Sequence, residues 1–166
     1  MKNGLWPNLF KGWDNKESET INTLKLIPVF KNFTKKEFLE LEKLVHHRNF
    51  SENEFIFKNN APGEGMYIIM KGSIKISIGD GKNEKILANL QEGDFFGELA
   101  LFDDEPRSAN AISLSESKLI GFFTPDLLAL KDRNPVITNK ILFNLGQILG
   151  ERLRQTNSLL LDQQKK

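Results

Sequence analysis

With 166 residues, 39% of them hydrophobic, the chain is long enough to bury the core of one domain and too short for two comfortable ones. Its 23 basic and 22 acidic side chains leave a net charge of +1, so no global field draws in nucleic acid and any such role needs a local patch. The lack of cysteine removes disulfides, thiolate nucleophiles and cysteine-based zinc or iron-sulfur sites, and leans toward an intracellular protein.

The first residues, MKNGLWPNLFKGWDNK, hold no continuous apolar signal core, and no apolar run approaches the ~20 residues that span a bilayer. A cytoplasmic location without a transmembrane segment is expected. Leu5, Trp6, Leu9, Phe10 and Trp13 cluster on one side of a potential helix, beside Lys2, Lys11 and Lys16. Such a face rests at a membrane interface, anchors a partner or packs on its own protein, and the last is the reading favoured. Residues 1–23 are set apart as this aromatic extension. Further on, Thr34 and Glu37 have capping-box spacing ahead of Phe38, Leu41, Leu44 and Val45, which recur at helical intervals. The same helix is expected to carry His46 and His47.

From Asn53 to Thr124 the texture becomes short and β-like: FIFK, MYIIMKG, SIKISIG and KILANL, punctuated by glycine as hairpins are. Ile74, Ile76 and Ile78 alternate with Ser73, Lys75 and Ser77, the mark of a half-buried strand, and Gly79-Asp80-Gly81 is a ready turn. Phe33, Phe55, Phe57, Phe95 and Phe96 read as core. The expected object is a small antiparallel barrel.

Within this region the run FGELALFDDEPRSANA, Phe96 to Ala111, sets a carboxylate, Glu98, and a guanidinium, Arg107, on either side of a short apolar helical turn. Two such charges alone are an ordinary surface ion pair, worth ~0–1 kcal/mol. The rest of the run points further. Gly97 lets backbone approach a ligand, the amides of Leu99 and Ala100 open a helical turn, and Arg107 has the fork to grip two phosphate oxygens. A carboxylate belongs in an anion pocket when it accepts a hydrogen bond from a nearby hydroxyl while the arginine shields the anion from it.

After Thr124 a helix opens near Pro125 and Asp126, then Asn134-Pro135 starts one long helix to the C-terminus. Val136, Ile141, Leu142, Leu145, Ile148, Leu149, Leu153 and Leu160 give it a wide apolar stripe. The stripe has three possible uses: covering the barrel mouth, pairing with a second copy through Leu142, Leu145, Leu149 and Leu159, or packing on its own domain. Residues 24–134 are read as the β-roll with its flanking helices and 135–166 as a lid or dimerisation helix.

At Phe96, Gly97, Glu98, Leu99, Ala100, Leu101, Arg107, Ser108 and Ala109 the chain resembles the phosphate-binding cassette of the cyclic-nucleotide-binding domain family, which includes kinase regulatory subunits, catabolite activators and nucleotide-gated channels. The resemblance extends over roughly Leu24 to Leu161. It implies an α+β, mainly β fold: an antiparallel β-roll or jelly-roll barrel of cupin-like type, flanked by an N-terminal helical segment and a long C-terminal helix. It also implies that Glu98 holds the ribose 2′-hydroxyl, Arg107 the cyclic phosphate, and the amides of Leu99, Ala100, Ser108 and Ala109 the other phosphate oxygens. LGERLRQTN resembles the central helix of bacterial catabolite activators, which suggests base contacts from Arg152, Thr156 and Asn157. Ser108 resembles the residue of bacterial cyclic-AMP receptors, so the ligand leans to cyclic AMP, with cyclic GMP open.

Catalysis is not expected. A cupin-type enzyme needs several histidines converging in the barrel, and the two present are adjacent. No GxSxG or GxxxxGK[ST] motif occurs, and Asp103, Asp104 and Glu105 read as a solvated turn rather than a metal site. No cofactor is called for. The family's bacterial transcription factors continue into a helix-turn-helix, and this sequence ends at Lys166 soon after its stripe, so direct DNA reading is not expected. The function expected is a cyclic-nucleotide sensor whose C-terminal helix moves on binding and acts on an effector protein or a second copy. The alternative is a ligand-free interaction domain of the same fold.

Overall fold

A computed structural model describes residues 17–163; the aromatic cluster from Leu5 to Trp13 lies outside the described residues. In chain order the elements are α1 (Glu19–Leu26), a 3-10 turn (Pro28–Phe30), α2 (Lys35–Glu42), β1 (His46–Phe50), β2 (Phe55–Phe57), β3 (Gly65–Lys71), β4 (Ser73–Ile78), a 3-10 turn (Gly81–Asn83), β5 (Lys85–Gln91), β6 (Phe95–Phe96), a 3-10 turn (Glu98–Leu101), β7 (Asn110–Ser113), β8 (Ser117–Phe123), α3 (Thr124–Arg133) and α4 (Pro135–Gln163).

The strands form two four-stranded antiparallel sheets, ordered β1-β8-β3-β6 and β2-β7-β4-β5. The expected barrel is thus a roll of two facing sheets rather than a closed cylinder. β3 explains the unbroken apolar run MYIIM, because both its faces are covered. Met66, Ile68 and Met70 join a core with the helices, while Tyr67 and Ile69 join a second core between the sheets. The period of two sorts one strand's side chains into two cores. On β4 the alternation fades along the strand: Ile74 is fully buried, Ile76 half-buried and Ile78 exposed.

The Thr34–Glu37 capping box is present, with the Thr34 amide donating to Glu37 Oε2 at 2.6 Å and the Glu37 amide to Thr34 Oγ1 at 3.4 Å. The helix it opens ends at Glu42, so His46 and His47 lie in β1 and not in a helix. Pairing with β8 supplies the backbone partners there and overrides the local helical spacing. Neither histidine faces the other's partner: His46 Nε2 lies 3.1 Å from Asp126 Oδ2 on α3, and His47 Nε2 lies 3.1 Å from Thr20 Oγ1 on α1.

α4 divides into two halves. Ile137, Ile141 and Leu145 are fully buried against the domain, with Leu142 and Ile148 packed partly against the same core. Val136 turns outward instead, as does Phe143, and every residue from 151 to 162 is exposed, including Leu153, Leu159, Leu160 and Leu161. Among the described residues, no helix is long and apolar enough to cross a membrane.

Candidate functional site

The end of β6 delivers the chain to Gly97, which adopts φ 76°, a left-handed conformation that favours glycine. The reversal opens the 3-10 turn Glu98–Leu101, and a loop then leads to Arg107 at the entry to β7. This path encloses a cavity of about 260 Å³. Gly97, Glu98, Leu99, Ala100, Arg107, Ser108 and Ala109 all line it, while Phe96 and Leu101 of the same run turn into the two cores. Phe57 of β2 and Ile76 of β4 form its apolar wall, and Asp103 and Glu105 stand at the loop.

Arg107 is 7% exposed. Its main chain is locked to the β2–β3 connection by Arg107 N to Ala61 O and Asn60 N to Arg107 O, both 2.8 Å. Its guanidinium donates from Nη1 to Gly97 O (2.9 Å) and from Nη2 to Gly65 O (2.8 Å), while Nε is buried without a partner. Among the described residues no carboxylate forms an ion pair with it. Burial pushes the guanidinium down from its ordinary value, with Tyr67, Glu64 and Glu98 acting in the opposite direction. It stays cationic at any physiological pH. Burial likewise pushes the Tyr67 hydroxyl up, against the nearby Arg107 charge.

Glu98 is buried and accepts from Arg152 Nη1 of α4 at 2.5 Å, and the Arg152 guanidinium also lies 4.8 Å from the Phe95 ring centre. Thr156 and Asn157 lie on the exposed half of α4 and do not line the cavity; the Thr156 hydroxyl donates to Arg152 O of its own helix. The Ser108 amide finds no backbone acceptor among the described residues. Behind the turn, Thr124 Oγ1 at the start of α3 donates to Ala100 O at 2.8 Å, a direct tie between the site and the helices. Among the described residues, no group of three or more His, Cys, Asp or Glu side chains is placed to hold a metal ion.

In sequence, Phe57 reads as a core aromatic and Gly65 carries no signal. Both reach Arg107 from distant strands, and no local spacing announces them.

A buried cation with no carboxylate ion pair among the described residues, facing a cavity beside a left-handed glycine, has the chemistry to hold an anion. The model of the cyclic nucleotide-binding domain matches residues 47–134. The chain belongs to that family. The cyclic AMP receptor protein of Thermus thermophilus is 29% identical over 135 residues, which cover 81% of this chain and 61% of that protein. The crystal structure of the Thermus thermophilus catabolite activator protein superposes with a TM-score of 0.72 at 29% identity, over 80% of this chain and 61% of that one. A cyclic nucleotide-binding domain from Methylobacillus flagellatus reaches 0.76 over 87% of this chain and 82% of that one, and at 22% identity this likeness speaks for the fold alone. The chain thus spans about three fifths of the length of the Thermus receptor. Cyclic nucleotide-binding domains regulate by binding, and where relatives are kinases the match covers a small part of them: two kinases of Drosophila melanogaster match over 11% and 9% of their length.

Proposed function

We propose that this chain is a cytoplasmic cyclic-nucleotide receptor, selective for cyclic AMP, that signals through the position of α4. The observation that carries the reading is Arg107: a guanidinium 7% exposed, with no carboxylate ion pair among the described residues, on the wall of a cavity. Leaving such a charge unpaired costs several kcal/mol, and a bound phosphodiester anion removes that cost. Glu98 accepts from the ribose 2′-hydroxyl, the one free sugar hydroxyl of a 3′,5′-cyclic nucleotide, and the amides of Leu99, Ala100, Ser108 and Ala109 complete the phosphate contacts. Ser108 and the Thermus relative's name favour cyclic AMP, while the two Drosophila relatives are named cGMP-dependent kinases, so the titration compares both nucleotides.

Arg152 already occupies Glu98. A ribose hydroxyl arriving at the same carboxylate competes with Arg152 or reorients it, and α4 moves with its arginine. The exposed leucines Leu153 and Leu160, seven positions apart, suit a second copy of the chain or an effector protein.

A thermal-shift titration with cyclic AMP, cyclic GMP and 5′-AMP tests the reading. Cyclic AMP at about 100 times its dissociation constant stabilises the fold by ~2.7 kcal/mol, and 2′-deoxy cyclic AMP binds ~1–3 kcal/mol more weakly. No shift with either cyclic nucleotide at millimolar concentration overturns the reading, and leaves the ligand-free interaction domain in its place.

A further inference from the structure

The guanidinium of Arg107 is held by the protein's own groups, and one of them, the Phe57 ring, lies outside the cassette. The Phe57 ring covers one face of it, with the ring centre 4.1 Å from Cζ. The in-plane donors are aimed by Gly97 O and Gly65 O. The fit is close: a Cβ built on Gly97 would stand 2.7 Å from Arg107 Nη1 and 3.4 Å from Phe57 Cε1. The ring is itself fixed from behind. Phe96 lies 5.8 Å away and Tyr67 6.2 Å, centre to centre, and both belong to the core between the sheets.

We propose that Phe57 is the positioning residue of the anion site, holding the Arg107 guanidinium by a cation–π contact in the orientation that receives the cyclic phosphate. The inference rests on the cyclic-nucleotide reading above. Its physical basis is pre-organisation. A free arginine side chain gives up much rotamer freedom on binding, and an arginine already clamped between a ring and two carbonyls has given it up on folding. The ring also excludes water from one face of the cation, which strengthens its attraction for a phosphate on the open side. A purely aliphatic residue fills the space without the quadrupole, so the contact is a property of an aromatic ring here and not of bulk alone.

The test uses the full chain as wild type, Phe57→Leu and Phe57→Tyr, with two readouts. The first is cyclic-AMP affinity by calorimetry. Phe57→Leu is expected to bind about 3- to 30-fold more weakly, the loss of one cation–π contact, and Phe57→Tyr within threefold of wild type. The second is the arginine guanidinium N–H spectrum of ¹⁵N-labelled, ligand-free protein, with the Arg107 signal assigned by its loss in Arg107→Met. Protons over a ring face resonate upfield, so the Arg107 signal is shifted upfield in wild type and Phe57→Tyr and returns toward the ordinary position in Phe57→Leu. Three results overturn the proposal. Wild-type affinity in Phe57→Leu removes the positioning role while the receptor reading stands. Equal losses in both variants mark Phe57 as packing only. A wild-type chain that binds no cyclic nucleotide takes down the receptor reading and this inference together.

Discussion

Replacing Arg107 by methionine separates what the buried guanidinium does for the ligand from what it does for the fold. Without ligand, two opposing quantities nearly cancel. The substitution forfeits two charge-assisted hydrogen bonds, to Gly65 O and Gly97 O, and the cation–π contact with Phe57, together worth ~4–8 kcal/mol. It also abolishes the desolvation penalty of a cation that is 7% exposed and has no carboxylate partner among the described residues, an effect of several kcal/mol in the other direction. The difference is expected within ~2 kcal/mol of zero, a melting shift of no more than roughly 8 °C for a chain of this size. With ligand nothing cancels. Removing one partner of a desolvated, hydrogen-bonded charge pair costs ~2–5 kcal/mol, so the dissociation constant for cyclic AMP rises roughly 30-fold to several thousand-fold. Differential scanning fluorimetry of the two proteins, with and without cyclic AMP, reads both quantities in one experiment, and calorimetry gives the affinities. Binding by Arg107→Met within threefold of wild type would refute the assignment of Arg107 to the phosphate. Collapse of the ligand-free fold would refute the near-cancellation.

Three other substitutions probe separate links. Gly97→Ala places a methyl 2.7 Å from Arg107 Nη1 and 3.2 Å from Gly65 O at a residue with φ 76°; the guanidinium must shift, and calorimetry should record at least a tenfold loss of cyclic-AMP affinity, a result that unchanged affinity contradicts. At Glu37, burial pushes the carboxyl up, but Lys140, 2.7 Å from Oε1, and the amide and hydroxyl of Thr34 outweigh it and hold the group below its ordinary value. A depressed carboxylate stabilises the fold above its unfolded pKa and loses that contribution as pH falls through the folded one. The gap in urea midpoint between wild type and Glu37→Gln should therefore be present at pH 7 and narrow below about pH 4, and an equal gap at both counts against the pairing. Leu130→Ala, at a side chain with no exposure in the helix–sheet core, should lower unfolding free energy in urea by ~2–5 kcal/mol; a loss under 1 kcal/mol would mean that α3 packs less tightly on the sheet than the structure shows.

What was legible in the sequence was what neighbouring residues decide among themselves. The capping box at Thr34 and Glu37, the proline start of α4 and the cassette from Gly97 to Ala109 all follow from side chains within a dozen positions of one another, and the structure assembles each in place. β1 was not legible. His-His-Arg-Asn-Phe has no apolar alternation, its partner β8 lies some seventy residues on, and Leu44 and Val45 extend the helical spacing of α2 past its end. The same limit hid half of the anion site. Arg107 is aimed by the carbonyl of Gly65, 42 positions away in the opposite sheet, and covered by Phe57 of β2, the strand paired with β7 but fifty positions earlier in the chain; in sequence the first is a turn glycine and the second a core aromatic. The exposed half of α4 is the converse case, the second half of an apolar stripe that none of the described residues buries.

The size of the Arg152–Glu98 contact sets how far a ligand could drive α4. Arg152 is nearly half exposed although Glu98 is buried, so the pair resembles a surface bridge from one side and contributes on the order of 1 kcal/mol. A ligand shifts an equilibrium only by its differential interaction with the two states. Displacing Arg152 alone would therefore change the balance of α4 positions about fivefold, a weak switch. A steep response needs a second contribution of several kcal/mol, and the uncovered leucines are the surface able to supply it: burying Leu153 and Leu160 against another chain in one α4 position and not the other contributes ~1.5–3 kcal/mol for each side chain. The arginine would then set the trigger and the leucines the gain, so substituting Leu153 and Leu160 by glutamine should leave cyclic-AMP binding at Arg107 in place while abolishing any ligand-dependent change in sedimentation. A ligand-driven change in association that survives this substitution would assign the gain to another surface.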